Sequence, residues 1–508
     1  MKDYTYITMK SDIRSNVVIN LIRTITMTLL SFVTFPLMCR ILGDAALGAF
    51  SWASAFVYYF IILSKISIPN IAVRECAKVK DDPVKLSMKI QEFFILQAIM
   101  SVLSFGLMCV FVFTIPSLQG AINQSMIFIL SINFLSSVFA FEWVFTALEK
   151  QAYLAIRSII ILTIVDILIF AFVKRPDEVV LYAFLTVLVT VLTVISNLIY
   201  LPKLVKFKKT GPYNFKQYLP TLGILFSISL VVAIYSKSDS FILGIIDETK
   251  ASVGSYSVGM KGVDIIIGFI VALGSVFMPR ASYYLSKNET KKYNELNAYA
   301  TNICFVITIP AIALMSTLAT PITALISGST SNAGYTDANW VLVSLASLML
   351  TFSLGNIIYT QILIPSKREK LYLLAMGIGS ALNVGLSLLF GLVVFKDNPA
   401  VGIAIATAIS DLIILMILIA MTWKESKAMI FNFNNLKIIG VGIILAVFAY
   451  FVGPLLYNGL TTSMETETAM IAEIGIVLIA SIIIYIVALI ILKEKLFRRI
   501  IKKEKESL

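Results

Sequence analysis

The chain has 508 residues, of which 59% are hydrophobic and 14% are charged, and its mean hydropathy is +0.92. A water-soluble protein carries roughly 25% charged residues, so this composition excludes an ordinary soluble protein and predicts an integral membrane protein. The formal net charge of +12 does not indicate nucleic-acid binding, because the basic residues are scattered in short clusters between apolar segments. We therefore expect no nucleic-acid partner.

The residues that most often carry catalysis or metal binding are scarce. Histidine is absent, and the four cysteines, Cys39, Cys76, Cys109 and Cys304, are far apart in the chain. Histidine is the commonest general base near neutral pH and the commonest metal ligand, and no cysteine pair has the spacing of a metal site. We expect no metal, no cofactor and no enzymatic activity.

Apolar segments long enough to cross a bilayer recur along the whole chain. Crossing roughly 30 Å of hydrocarbon takes about 20 mainly apolar helical residues, and about fourteen such segments can be marked. We expect the first of them to stay in the mature protein, because no signal-peptidase-like site follows it. The fold class expected is therefore all-α integral membrane. The approximate limits of the spans are residues 15–39, 47–70, 91–114, 125–147, 153–173, 179–201, 218–246, 253–277, 297–318, 338–363, 371–394, 400–422, 437–457 and 470–492.

Lysine and arginine are concentrated in alternate loops of this arrangement. Of the 41 basic residues, the loops assigned to the outside hold only Arg40, Lys174, Arg175, Lys250 and Lys396. Because basic residues collect on the cytoplasmic side of membrane proteins, both termini are expected in the cytoplasm. All loops are short, which leaves no room for a soluble catalytic domain, and the phosphate-binding pattern G-x-x-x-x-G-K-[ST] is absent.

Two similar sequence motifs occupy matching places in the two halves of the chain. Ile41-Leu42-Gly43 followed by Leu47-Gly48-Ala49 joins spans 1 and 2, and Ile242-Leu243-Gly244 followed by Val253-Gly254-Ser255 joins spans 7 and 8. A repeat of six spans predicts two six-helix lobes that run in the same direction, with a substrate cavity between them. The predicted domains are an N-terminal lobe of spans 1–6, a C-terminal lobe of spans 7–12, and spans 13 and 14 with a basic cytoplasmic tail, at residues 1–217, 218–436 and 437–508.

Four short segments in spans 1 to 8 resemble a known family of membrane proteins. They are Phe35-Pro36 with Arg40-Ile41-Leu42-Gly43 and Gly48; Pro69-Asn70-Ile71-Ala72-Val73-Arg74-Glu75 with Ala77; Glu142-Trp143-Val144-Phe145 with Leu148-Glu149-Lys150 and Ala155-Ile156-Arg157; and Asp239 with Leu243-Gly244, Gly254, Tyr256-Ser257, Lys261 and Pro279-Arg280. The family is that of the Wzx-type oligosaccharide and polysaccharide flippases, in the superfamily that includes lipid II flippases and MATE drug exporters. Ser67 departs from the pattern, because a glycine is expected there.

This resemblance implies a function and a location. It implies a flippase that carries polyprenyl-diphosphate-linked oligosaccharide repeat units from the inner to the outer leaflet of a bacterial cytoplasmic membrane by alternating access. The product would be a surface polysaccharide such as O antigen or capsule. The implied partners are the lipid-linked glycan and membrane lipid, and a polysaccharide polymerase and chain-length proteins are further candidates.

Three other functions are compatible with a polytopic membrane protein. The main alternative is a MATE-like, cation-coupled exporter of drugs or organic cations, which shares the architecture but would need an acidic cavity. A glycan polymerase is disfavoured by the short outer loops and the lack of histidine or a carboxylate pair. A membrane scaffold is disfavoured because it would carry several costly charges within spans to no purpose.

Charged residues inside the spans are the candidate functional residues, because each costs about 2.5 to 3.5 kcal/mol at the bilayer centre. We interpret six of them as candidate substrate contacts: Arg23, Lys65, Lys237, Asp239, Lys261 and Asp264. Arg23 suits phosphate, which a guanidinium binds through two hydrogen bonds. A structural role stays open for each, including an ion pair between Asp239 and Lys261 and mutual neutralisation of Lys261 and Asp264. Near mid-depth, Asp166 and Asp411 suit cation or proton coupling, or a structural hydrogen bond.

Overall fold

The computed structural model describes residues 13–205, 207, 212–328 and 334–495. Within these residues the structure is helical and has no β-strand. Short 3-10 and π-helical turns join or extend several helices. The α-helices are α1 (Ile13–Lys65), α2 (Ile68–Ala77), α3 (Pro83–Thr114), α4 (Ala121–Ser137), α5 (Glu142–Ala147), α6 (Gln151–Phe172), α7 (Val179–Tyr200), α8 (Leu219–Ile246), α9 (Ala251–Ser286), α10 (Thr290–Thr317), α11 (Ala319–Ser327), α12 (Ala338–Leu345), α13 (Leu348–Ile357), α14 (Glu369–Leu389), α15 (Pro399–Met421), α16 (Trp423–Ile430), α17 (Phe433–Leu460) and α18 (Thr466–Ile491).

The expected fold class, an all-α membrane protein of about fourteen spans, is confirmed. In the described part of the chain, 13 helical segments are long and apolar enough to cross a membrane. The first of these contains two of the predicted spans, because α1 runs for 53 residues and is broken at Gly43, whose φ of 75° and ψ of 175° are not helical. Glycine tolerates this backbone conformation because it has no Cβ. The predicted basic tail continues past Lys495, outside the described residues.

Side-chain caps fix where some spans begin. Asp82 precedes Pro83 at the start of α3, and its carboxylate accepts hydrogen bonds of 3.1 Å from the backbone N–H groups of Val84 and Lys85. The Lys85 N–H bond is the main reason that the pKa of Asp82 is lowered from its ordinary value. Asn432 caps α17 in the same way, accepting a bond of 2.9 Å from the Asn435 N–H. Such caps satisfy the first, otherwise unpaired N–H groups of a helix.

The chain forms two compact units, and the first comprises residues 1–35 and 56–230. An aromatic and aliphatic cluster forms the core at one end of this unit, where α2 packs on α5. Phe93 lies at its centre, with ring centroids 5.9 Å from Trp143 and 4.6 Å from Tyr218. The cluster therefore joins two of the sequence segments that carry the family resemblance, at residues 69–77 and 142–157.

The second compact unit comprises residues 36–55 and 231–508. Its main core is formed by side chains of α8 to α10, of α13 to α18 and of the π-helical turn after α13, and includes Phe305, Ile358, Met376 and Leu445. Helix α9 packs on α10, α12 and α13, and α17 packs on both α10 and α18. The predicted division at residue 217 and the predicted six-span repeat stay predictions.

Residues 36–55 belong to the second unit through polar contacts that anchor them. The Arg40 guanidinium donates to the Leu325 carbonyl at 2.7 Å and forms an ion pair with Glu467 at 2.6 Å. The Tyr335 hydroxyl donates to the Cys39 carbonyl at 3.0 Å, and the Trp52 indole N–H donates to a backbone carbonyl of α8 at 3.2 Å. The end of the first predicted span and the start of the second are therefore fixed to α8, α11 and α18.

A buried lysine strengthens this anchoring. The Lys250 ammonium donates to the Gly244 carbonyl, and it lies 4.5 Å from the centroid of the Trp52 ring, a cation–π distance. Burial lowers the pKa of Lys250 from its ordinary value. Gly244 leaves room for the indole, because a Cβ there would lie 2.1 Å from Trp52 Cδ1.

Glycines from each of the two similar sequence motifs pack closely against the backbone of the other segment. A Cβ on Gly48 would lie 1.8 Å from the Lys250 carbonyl oxygen, and a Cβ on Gly254 would lie 2.2 Å from the Asp44 carbonyl oxygen. Small residues allow such close backbone approach between membrane helices. The contact is reciprocal, because each motif supplies a glycine that lets the backbone of the other segment come close. Close backbone contact thus holds the two segments together.

We expect Gly254→Ala to destabilise the protein by about 1–3 kcal/mol, because the added methyl group would overlap a backbone carbonyl that cannot turn away as a side chain would. Thermal unfolding of the purified protein in detergent measures the effect. Gly106→Ala is the matched control, since a Cβ there meets nothing within 4 Å. This control should be neutral or gain up to about 1 kcal/mol from helix propensity. Equal unfolding temperatures for the two variants would contradict the packing described.

Candidate functional site

A charged cluster lies on α8 and α9 in the second unit. Lys237 and Lys261 are half-buried, whereas the Asp264 side chain is exposed, and the three groups interact electrostatically. Lys261 and Asp264 are three residues apart and so share one face of α9. Because charge within a span needs a partner or water, this face of the unit is polar. The structure thus brings together three of the six predicted contact residues.

Asp239, the fourth of these residues, lies in the interior of the same unit. Its carboxylate accepts hydrogen bonds from the Tyr256 hydroxyl at 2.5 Å and from the Thr407 hydroxyl at 2.7 Å. Asn383 joins this network, donating to the Thr407 hydroxyl at 2.9 Å. In the described part of the chain, the donors to Asp239 are thus hydroxyl groups and not the Lys261 ammonium that the sequence suggested.

Asp411 is buried nearby and is also held by hydroxyl groups. Tyr235 donates to one of its carboxyl oxygens at 2.8 Å, and Thr351 donates to the other. A small cavity adjoins the carboxyl group, with Asn356 and Tyr372 among its lining residues. The arrangement can bind a small ion or water but offers no room for a sugar.

The two carboxyl networks form a reciprocal ladder between α8 and α15. Tyr235 on α8 donates to Asp411 on α15, and Thr407 on α15 donates to Asp239 on α8. On each helix the hydroxyl and the carboxyl group are four residues apart, which places them on one face. This spacing of polar residues in apolar spans is visible in the sequence, and it was the signal that could have identified Tyr235 and Thr407.

The remaining predicted residues lie in the first unit. Arg23 is half-buried on the first part of α1 and forms no ion pair with any of the described residues. Asp166 is buried on α6 beside the Thr34 hydroxyl, and one of its carboxyl oxygens has no hydrogen-bond partner in the described part of the chain. Asp166 and Asp411 belong to different units, so each is an ion-binding candidate in its own right.

Lys65 lies near an ion pair that the sequence did not predict. The Arg157 side chain is only 5% exposed, and it donates to the Glu142 carboxylate at 2.7 Å. Lys65 interacts electrostatically with the same carboxylate. The Glu142 carboxylate thus interacts with two cations. Glu142, at the start of the third resemblance segment, therefore anchors α5 to α6 in this unit.

Two loops of the same unit are held by local side-chain contacts. Ser67 precedes α2 with a φ of 56°, in the left-handed region that favours glycine. That conformation explains why a glycine is expected at this position. The Ser67 hydroxyl forms a hydrogen bond of 2.9 Å with Ser229, a contact that glycine could not make. At the neighbouring loop, Lys80 pairs with Glu149 at 2.8 Å.

A metal centre built from protein ligands is not seen in the described residues. No three side chains among histidine, cysteine, aspartate and glutamate come together there in a way that could hold a metal ion. The oxygen-rich surroundings of Asp239 and Asp411 suit hard monovalent cations or protons rather than transition metals.

Comparison with solved structures defines the class of fold. The lipid II flippase MurJ in an inward closed conformation superimposes with a TM-score of 0.66 at 18% identity, over 94% of this chain and 99% of that chain. A multidrug resistance MATE family transporter of the MOP superfamily in an inward-facing conformation gives a TM-score of 0.61 at 14% identity, over 81% of this chain and 98% of that chain. The protein is thus a multi-pass membrane protein with the fold of these transporters.

Sequence comparison then gives the family. Residues 13–285, more than half of the chain, match the family described as polysaccharide biosynthesis protein, and the chain belongs to that family. A protein of Escherichia coli strain K12 named "Putative O-antigen transporter" is 23% identical over 387 residues, which are 74% of this chain and 90% of that protein. The resemblance to Wzx-type flippases is confirmed by these matches.

We expect Arg157→Met and Glu142→Gln to be non-additive, with a coupling energy of about 0.5–3 kcal/mol, because the Arg157 guanidinium is buried and Glu142 is its ion-pair partner. Unfolding midpoints of both single variants and of the double variant in detergent give this value. The exposed pair of Arg175 and Asp177, whose side chains are 67% and 69% exposed, is the matched control and should couple by less than about 1 kcal/mol. Additive effects at Arg157 and Glu142 would show that this ion pair does not contribute to stability.

Proposed function

We propose that the protein is a flippase for polyprenyl-diphosphate-linked oligosaccharide repeat units. It carries them from the inner to the outer leaflet of a bacterial cytoplasmic membrane by alternating access, for the synthesis of a surface polysaccharide such as O antigen or capsule. The observation that supports this most is membership of the polysaccharide biosynthesis protein family, combined with two half-buried lysines within spans on α8 and α9. The O-antigen transporter name of the E. coli relative points the same way.

The charges suit the headgroup of such a substrate. A diphosphate ester carries roughly two negative charges, and ammonium and guanidinium groups bind phosphate oxygens through charge-assisted hydrogen bonds. Lys261 and Lys237 are the proposed phosphate contacts of the second unit, and Arg23 is a separate candidate in the first. Asp264 would order these cations or contact sugar hydroxyls, and Lys65 would act near the inner surface. The polyprenyl tail would stay in lipid or along α17 and α18.

The membrane potential favours the proposed direction. With the cytoplasm negative, moving negative charge outward gains about 2.3 kcal/mol per charge per 100 mV. With both termini in the cytoplasm, as the distribution of basic residues predicts, Lys65 lies at the inner end of its span. A polysaccharide polymerase and chain-length proteins would receive the substrate on the outer side.

Translocation by reconstituted protein tests the proposal. Liposomes with a labelled polyprenyl-diphosphate oligosaccharide in the inner leaflet, scored for its arrival in the outer leaflet, should show transport by the parent protein. Arg23→Ala and Lys261→Ala should each slow it by about tenfold to a hundredfold, the worth of a lost hydrogen bond to a charged group. Lys287→Ala, at an exposed lysine just after α9, should have no effect. Unchanged rates in both site variants would refute the site assignment, and no transport by the parent would refute the function.

A cation-coupled exporter of drugs or organic cations is the second candidate. The observation in its favour is the pair of buried carboxyl groups, Asp239 and Asp411, in the interior of the second unit. The same liposomes loaded with a lipophilic organic cation distinguish the two functions. Cation movement without movement of the glycan lipid would establish the exporter and exclude the flippase.

Ion coupling at Asp166 or Asp411 makes a separate prediction. An imposed proton or sodium gradient should stimulate translocation by the parent protein, and Asp166→Asn or Asp411→Asn should remove this stimulation, because an amide cannot exchange a proton or balance a cation. The rate driven by membrane potential alone should persist in these variants. Asp397→Asn, at an exposed loop residue, is the control and should keep the stimulation. If both site variants also keep it, neither carboxyl group couples the ion.

A further inference from the structure

A short amphipathic helix, α16, connects two spans of the second unit. α15 ends at Met421 and α17 begins at Phe433, and both are long and apolar enough to cross the membrane. α16 therefore lies where the hydrocarbon ends. One side of it is buried, with Met429 and Ile430 in the core of the unit. Its other side, which carries Trp423, Lys424 and Lys427, is exposed.

Aromatic rings and lysines share the open side. Trp423 is 47% exposed and Phe431 is 60% exposed, and their ring centroids are 6.0 Å apart. The Lys427 ammonium lies 5.5 Å from the centroid of the Trp423 ring. Close by, the Lys437 ammonium lies 5.2 Å from the centroid of the Phe433 ring. Aromatic rings with a polar edge favour the headgroup level of a bilayer, where Trp is enriched.

The same surface carries an excess of positive charge. Glu425 is the acidic residue of α16, and its carboxylate is bound to Arg368 at 2.6 Å. Lys424 and Lys427 are exposed and form no ion pair with any residue in the described part of the chain. Two cations beside exposed rings, with the local carboxylate already engaged, complement a negatively charged ligand at the membrane surface.

We propose that the surface formed by Trp423, Lys424, Lys427 and Phe431 binds the headgroups of anionic phospholipids. The phosphate groups contact the two ammonium groups, and the two rings lie at the level of the glycerol and the first acyl carbons. This binding is a property of the connection between α15 and α17 and does not depend on the identity of the transported substrate.

Quenching of Trp423 fluorescence by brominated lipids tests the proposal on the full-length protein. The protein is reconstituted in phosphatidylcholine bilayers that contain the same fraction of brominated phosphatidylglycerol or of brominated phosphatidylcholine. Subtracting the signal of the Trp423→Phe variant isolates Trp423 from the other three tryptophans. We expect stronger quenching by the anionic lipid, because it is concentrated around the helix.

Charge removal then separates specific binding from simple insertion. Lys424→Gln with Lys427→Gln should reduce the enrichment of the anionic lipid by about fivefold for each lysine removed. Lys287→Gln with Lys291→Gln removes the same charge at two other exposed lysines and should leave the enrichment unchanged. Circular dichroism and thermal unfolding confirm that both double variants are folded. Equal quenching by the two lipids, absence of quenching, or an unchanged preference in the Lys424/Lys427 variant would overturn the proposal.

Discussion

A polar group buried in a membrane bundle finds no solvent and must be satisfied by the protein itself. In the second unit this constraint produces the ladder in which Tyr235 bonds to Asp411 and Thr407 bonds to Asp239. Each helix supplies one hydroxyl donor and one carboxyl acceptor, so neither can rotate or slide without breaking both rungs. The ladder therefore fixes the register of α8 and α15. Leaving one member unpaired would cost about 1–3 kcal/mol or more.

The same constraint has a different consequence for charged side chains that stay accessible. Lys237, Lys261 and Asp264 lie on the same two consecutive spans of the second unit as Asp239 and Tyr256, yet Asp264 is exposed. Exposed charge along a span is stable only where water or a polar ligand reaches it. The unit thus has a hydrogen-bonded ladder in its interior and a charged face on its outside. Substitutions of the hydroxyl donors in the interior should act mainly on stability, and substitutions on the face should act mainly on ligand binding.

Hydropathy and charge spacing predicted the fold class and the approximate spans, because the thickness of the hydrocarbon fixes the length of an apolar helix. The partners of the charged residues were harder to predict. Asp239 and Lys261 have similar depth in their spans, but depth does not give the rotation of a helix, and Asp239 is instead turned toward Thr407. The sequence identifies Arg157 only as part of the third resemblance segment, because it does not show that the Arg157 side chain is buried against Glu142. The left-handed backbone at Ser67, by contrast, agrees with the glycine expected there.

The hydrogen bonds of the carboxyl groups bear on how an ion could be coupled to transport. Both oxygens of Asp411 accept from hydroxyl groups, so an ion there must share or displace Tyr235 or Thr351. Asp166 has an oxygen without a partner in the described residues and can receive an ion without such rearrangement. A cation that accompanied an outgoing diphosphate would cancel the gain of about 2.3 kcal/mol per charge per 100 mV. A cation that returned inward would add to it. Coupling at these carboxyl groups therefore assists a flippase only as an exchange, in which the ion and the lipid-linked glycan cross in opposite directions.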